Sequence, residues 1–274
     1  MMQQEWGYEI SEWQHNNRSN FFHDLGENVR QLATRLGYDF DELVAAKDRL
    51  RARLETLTPA DIAAQQDGGF LGAFDLLGAD PSLAQWLRFR KDSLTHFFSS
   101  VSAGVKKNIK REVLMGVGPR SACFAPLCGY DFQQLASSGV DILLPKHYFF
   151  HRGFDGLVGT VGRWVETLTE WNPALSDADA FAVVKAVFGI ELPGVSSRMD
   201  LESVLDTPEF YASVVYKESA RALAAVDGDA TRIVPWLDTG RLPHNGDAMT
   251  AGSLRLIIEA AHRAGLRCMV RTQP

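Results

Sequence analysis

Lys146, His147, Tyr148, His151, Arg152 and Asp155 crowd together just after an apolar run, residues 140–144, that stops at Pro145. A second apolar run, residues 232–237, carries Trp236 and opens the same way into Asp238, Arg241, His244 and Asp247. Lys, His and Arg donate hydrogen bonds, Tyr and Trp offer stacking faces, and a carboxylate such as Asp238 can act as acid, base or nucleophile. Such side chains at the carboxyl ends of apolar strands are what parallel α/β enzymes use to bind ligands. A single histidine packed against Phe149 and Phe150 would be ordinary core, but the cluster from Lys146 to Arg152 points to binding. Asp238 also has a plain reading, as the cap of a turn at Thr239 and Gly240.

The elements that must position these groups alternate between strand and helix. Four apolar runs read as strands, 112–117, 140–144, 232–237 and 266–270, with weaker candidates at 5–10 and 189–193. Apolar recurrence at three and four residues marks the helices. Leu87, Leu94, Phe97, Phe98, Val101, Val105 and Ile109 make 83–110 the strongest, and Val161, Trp164, Val165 and Leu168 define 157–171. Ser176 and Gly189 bracket another helix, Thr207 and Pro208 open one that runs to 225, and Thr250 and Gly265 bracket the last. A short helix falls at 132–137, residues 21–57 are helical in two pieces, and glycines 68, 69, 72 and 78 make 58–80 a loose connection. Strands alternating with helices imply parallel βαβ units. The expectation is α/β: one domain over 1–274, an incomplete (β/α)8 barrel without its first strands and last helix, with 21–110 as a largely helical insertion.

At 274 residues, 46% hydrophobic and 23% charged, the chain suits one such domain. A net charge of −6 argues against nonspecific nucleic-acid binding. No apolar run is long enough to span a membrane. Cys123, Cys128 and Cys268 form neither a disulfide framework nor a zinc spacing. With no basic, apolar leader at the start, a cytoplasmic address is expected. Neither a Gly-rich phosphate-binding turn nor Gly-x-Ser-x-Gly occurs, so no cofactor is expected.

Four motifs resemble a known group. They are Trp86-Leu-Arg-Phe-Arg90 ahead of a long helix, Gly129-Tyr-Asp-Phe132, the stretch from Leu144 to Gly156, and the stretch from Pro235 to Asp247. Together they resemble bacterial glycoside hydrolases of the (β/α)8-barrel type, an uncharacterised group near the family-10-like and β-galactosidase-like enzymes. The likeness runs from about residue 39 to 266. It implies a barrel, an oligosaccharide or glycoside substrate, and hydrolysis by a carboxylate pair.

Most glycosidases use two carboxylates, about 5–5.5 Å apart when retaining and about 6.5–9.5 Å apart when inverting. Asp238 is the first member proposed, and Glu5 or Glu9 the second if 5–10 ends a strand; Asp131, Asp155 and Glu191 are the other strand-end carboxylates. Lys146, His147, Tyr148, His151, Arg152, Asp155, Trp236, Arg241 and His244 would contact the sugar, with Trp6 and Trp13 as further stacking faces. The chain starts without the region of the barrel's early strands, which leaves an inactive or truncated sugar-binding barrel as the alternative. A metal-dependent barrel hydrolase would instead use His147, His151, His244 and Asp238, although the spacing of the first two suits a metal only on a helix. Lys146 as a Schiff-base nucleophile is a third possibility.

Overall fold

The computed structural model describes residues 6–8, 10, 21–23, 25–65, 68–149, 156–238, 250–267 and 269–272. Its first part is helical: α1 (Glu27–Arg35), α2 (Phe40–Leu54), α3 (Pro59–Gln65), α4 (Gly69–Leu76) and the long α5 (Pro81–Asn108). Local chemistry sets their starts. Asp39 accepts hydrogen bonds from the amides of Asp41 and Glu42 at the head of α2. Asp80 accepts one from Leu83 ahead of Pro81 at the head of α5. The loose connection expected over 58–80 is instead α3 and α4: Asp61 ties to the amide and hydroxyl of Thr58, and Gly69 takes φ +62° as α4 begins.

Strands and helices then alternate: β1 (Gly116–Val117), α6 (Phe132–Ser137), β2 (Ile142–Leu143), α7 (Leu157–Trp171) and α8 (Asp177–Phe188). A capping box of Ser176 and Asp179 opens α8, and Gly189 closes it in the left-handed conformation. Two 3₁₀ turns lead to α9 (Pro208–Phe210), a π-helical turn (Tyr211–Val215) and α10 (Tyr216–Ala224), which follow one another without a break. Pro208 sits at the first turn as expected, but the Thr207 hydroxyl donates back to the Val204 carbonyl and caps nothing. The chain continues with β3 (Trp236–Asp238), α11 (Ala251–Arg263), whose first turn Thr250 caps through the Ser253 amide, and β4 (Val270–Thr272).

β1 and β2 pair in parallel, as do β3 and β4. Isolated parallel bridges between Leu143 and Ile233 and between Lys146 and Trp236 join the two pairs. The Val234 amide donates to the Leu143 carbonyl, and the His147 amide to the Trp236 carbonyl, each at 2.9 Å. The strands therefore lie in the order β1-β2-β3-β4, each beside its neighbour in sequence. The runs at 112–117, 140–144 and 232–237 overlap β1, β2 and β3, whereas the run at 266–270 meets β4 at Val270 alone, with Leu266 and Arg267 outside any strand. All pairings are parallel, as the alternation implied.

The incomplete (β/α)8 barrel is not found. About 60% of the described residues are helical, and among them the strands are two or three residues long with no eight-stranded ring. Prolines explain much of the shortness. Pro119 follows β1, Pro145 follows β2 and Pro235 precedes β3, and each removes an amide that a longer ladder would need. The weaker strand candidates also fail. Residues 189–193 form a loop because Gly189 turns the chain out of α8 at φ +62°. Residues 6–8 and 10 join no strand and are tied instead to helices and loops.

Those ties form the centre of the core. The Trp6 amide donates to the Cys128 carbonyl, the Arg90 guanidinium to the Gly7 carbonyl, and the Trp164 indole to the Tyr8 carbonyl at 3.0 Å. Trp86, Phe89 and Trp164 are buried around them. Gly129 makes this approach possible. It holds φ +78°, and a Cβ there would lie 2.8 Å from the Arg90 carbonyl oxygen and 2.6 Å from the Trp6 ring. Gly129→Ala is expected to lower stability by at least about 1–2 kcal/mol, read by urea unfolding. A neutral result would mean that this backbone does not pack as described.

Candidate functional site

The sheet has two unlike faces, because side chains alternate along each strand. Val117, Leu143, Ile233 and Leu237 are fully buried, whereas Ile142, Leu144 and Val234 are only half-buried. Beyond β2 the same alternation sorts the candidate residues. Lys146 stands opposite Trp236 in the parallel bridge. Its ammonium lies 5.8 Å from the centre of the Tyr148 ring, and Tyr148 meets Trp236 edge to face at 6.2 Å. Lys146, Tyr148 and Trp236 thus form one cluster. The Trp236 indole nitrogen is buried and has no hydrogen-bond partner among the described residues. Asp238 ends β3 two residues later, in register with Thr272 of β4.

His147 points the other way. Its Nε2 lies 3.2 Å from the Ser219 hydroxyl of α10, and its ring meets Phe149 edge to face at 5.1 Å. Burial lowers its pKa to about 3, so the ring is neutral in the folded protein. Nδ1 is buried without a partner among the described residues. The structure thus separates His147 from Lys146 and Tyr148 and uses it to pack the sheet on α10.

Two positively charged side chains are buried at neighbouring strand ends, Lys146 after β2 and Arg120 after β1. The Arg120 guanidinium lies over the Tyr8 ring at 5.2 Å, within cation–π range. The Ser121 hydroxyl donates to the Lys146 carbonyl at 2.6 Å, and the Lys146 amide donates to the Pro119 carbonyl at 2.9 Å, locking the two ends together. Sequence reasoning passed over Arg120. The signal was available: Pro119 followed by Arg120 after one apolar run repeats Pro145 followed by Lys146 after the next.

A second buried carboxyl was also missed. Glu218 of α10 accepts from the Cys123 amide at 2.9 Å and pairs with Arg221 at 3.2 Å, and desolvation raises its pKa despite both partners. Its position one helical turn from Val214, Val215 and Ala222 marks it as inward-facing.

The remaining candidates fall in three groups. Glu5, Glu9, Trp13, His151, Arg152, Asp155, Arg241 and His244 lie outside the described residues. Asp131 caps α6 and pairs with Lys91 at 3.1 Å, and Glu191 pairs with Lys185 at 3.2 Å on an exposed loop. Trp6 packs on Phe89 and donates to the Ser93 hydroxyl, so it belongs to the core. Among the described residues no group of three or more His, Cys, Asp or Glu side chains could hold a metal ion, and no helix is long and apolar enough to cross a membrane.

Comparison with family models, curated proteins and solved structures finds no match for this chain.

Proposed function

We propose that the chain is a carbohydrate-active protein that binds a saccharide at the carboxyl ends of β2 and β3 and hydrolyses its glycosidic bond with Asp238 as one of two carboxylates. The observation that carries this reading is the buried, unpartnered indole N–H of Trp236, set beside Tyr148 and Lys146. A buried donor left unpaired costs about 1–3 kcal/mol, and a ligand hydroxyl that accepts from it recovers much of that cost. Aromatic faces with a nearby ammonium suit a sugar, which presents apolar ring faces and hydroxyl edges. Asp238, two residues past Trp236, supplies the carboxylate chemistry; Glu5 or Glu9 is the second member this reading requires. A cytoplasmic address is part of the proposal and suits Cys123 and Cys128, which are buried thiols.

The test is a panel of aryl glycosides and oligosaccharides, assayed for turnover and for binding with wild type, Asp238→Asn and Trp236→Phe. The hydrolase reading expects Asp238→Asn to lose turnover and keep affinity. Trp236→Phe keeps a ring and loses the N–H, and is expected to bind about five- to tenfold more weakly. Glycan binding without turnover in the wild type would remove the hydrolase and leave a sugar-binding protein. No saccharide bound by the wild type, or equal affinity in Trp236→Phe, would remove the sugar site.

A further inference from the structure

A groove of about 1160 Å³ runs between α4, α8, the loop at 189–196, the π-helical turn and α10, and shares no residue with the strand-end cluster. Its walls are apolar: Ile62, Phe181, Val184, Ile190, Leu192 and Val214. Phe70 of α4 stands at the groove 80% exposed, an apolar ring that water alone covers poorly. The π-helical turn contributes Ser213 and Val214 to the lining. Such turns are irregularities in an otherwise regular helix and recur at functional sites.

The charges along the groove decide what could fill it. Three cations line it, Lys185, Lys217 and Arg221. Glu191 closes Lys185 at 3.2 Å, and the buried Glu218 closes Arg221 at 3.2 Å. Lys217 is exposed and has no ion pair among the described residues. Among the described residues the groove therefore offers a long apolar wall and a single cation in excess, which matches a long apolar chain with a single negative charge.

We infer that this groove binds a long-chain aliphatic carboxylate, its chain along Phe181, Val184, Leu192 and Val214 and its head group on Lys217. The chain buries methylenes that add favourable free energy one after another, and the ion pair fixes its direction. A dianionic head such as phosphate meets no second unpaired cation among the described residues. Ala182 lines the groove on α8 and is only partly buried, so a large side chain placed there fills the groove from its wall.

The experiment is titration calorimetry with palmitate below its micelle concentration, and with hexadecanol as the uncharged probe. Wild type is expected to bind one palmitate. Lys217→Ala is expected to weaken palmitate about fivefold, the size of a partly exposed ion pair, and to leave hexadecanol unchanged. Ala182→Trp, once shown to melt cooperatively near the wild type, is expected to abolish binding of both. Should Ala182→Trp fail to fold, the Lys217→Ala comparison decides alone. The inference is overturned by an absence of saturable palmitate binding, by several equivalents adsorbed per chain, or by equal palmitate affinity in wild type and Lys217→Ala. Concentration-dependent dimerisation lost in Ala182→Trp, with no palmitate bound, would give the groove to a second copy of the chain and also overturn it.

Discussion

Trp164→Ala is expected to destabilise the protein by about 3–5 kcal/mol, the range for removing a fully buried large aromatic side chain. The residue stands on α7 at 1% exposure and touches three parts of the molecule at once. Its ring meets Phe188 of α8 edge to face at 4.8 Å and Phe21 at 6.2 Å. Its indole donates at 3.0 Å to the carbonyl of Tyr8, whose own ring stacks on Phe124 at 5.5 Å. Truncation removes the transfer free energy of the ring, leaves a cavity between α7 and α8, and strands a buried carbonyl. Trp164→Phe separates these parts: it retains an aromatic ring and loses the N–H, so about 1–3 kcal/mol of the cost should remain. For a chain of this length the alanine variant should melt roughly ten degrees below the wild type. Urea unfolding with an unchanged m-value would place the loss in stability rather than in the compactness of either state. A cost below about 1 kcal/mol in Trp164→Ala would mean that the segment around Tyr8 does not pack between α5 and α7.

That packing also shows where a sequence stops being informative. Helices were legible because their signals are local. The Ser176–Asp179 box lies within one element, and α7 begins and ends where its apolar period does. The stripe from Leu87 to Val105 marked α5 but not its buried face, which runs through Leu83, Trp86, Phe89, Leu94 and Phe98 and leaves Phe97 exposed. The apolar runs ending at 117, 144 and 237 likewise located three strands, and the alternation their parallel sense, whereas the run at 266–270 stops where β4 begins. What failed was the step from four runs to a barrel. A ladder's length depends on amides that Pro119, Pro145 and Pro235 cannot supply, and a barrel's closure depends on partners far away in sequence. The resemblance of the 144–156 and 235–247 motifs to barrel hydrolases carried the same assumption.

At the candidate site, composition alone favoured one cleft for the whole run from Lys146 to Arg152. Alternation along an extended segment instead sets Lys146 and Tyr148 apart from His147. Ser219, which receives the His147 ring, lies 72 positions away and carries no local mark. The Arg120–Tyr8 contact is equally invisible, because nothing near Tyr8 announces a cation.

The same alternation gives His147 its largest expected effect, which is on stability in mild acid. The folded protein holds the ring with a pKa of about 3, against 6.5 in the unfolded chain. A protonated ring would be a desolvated cation with a second N–H and no acceptor at Nδ1. Between pH 6.5 and about 3 the unfolded chain binds a proton that the folded protein refuses. Stability from this group is therefore present above pH 6.5 and lost as pH falls, by up to about 1.4 kcal/mol per unit of pH. Glu218 works in the opposite sense, since burial raises its pKa above 4.5 and the folded protein keeps a proton that the unfolded chain releases. Its contribution is common to wild type and His147→Gln, so subtracting one from the other removes it. Gln offers Ser219 a hydrogen-bonding amide and does not titrate. From pH 7 to pH 5 the wild type should lose about 2 kcal/mol more than His147→Gln, and about 3 kcal/mol more by pH 4. Urea unfolding of both proteins at each pH reads the difference directly. Parallel curves would show that His147 takes up its proton in the folded state, with its ring reaching water rather than sealed between the sheet and α10.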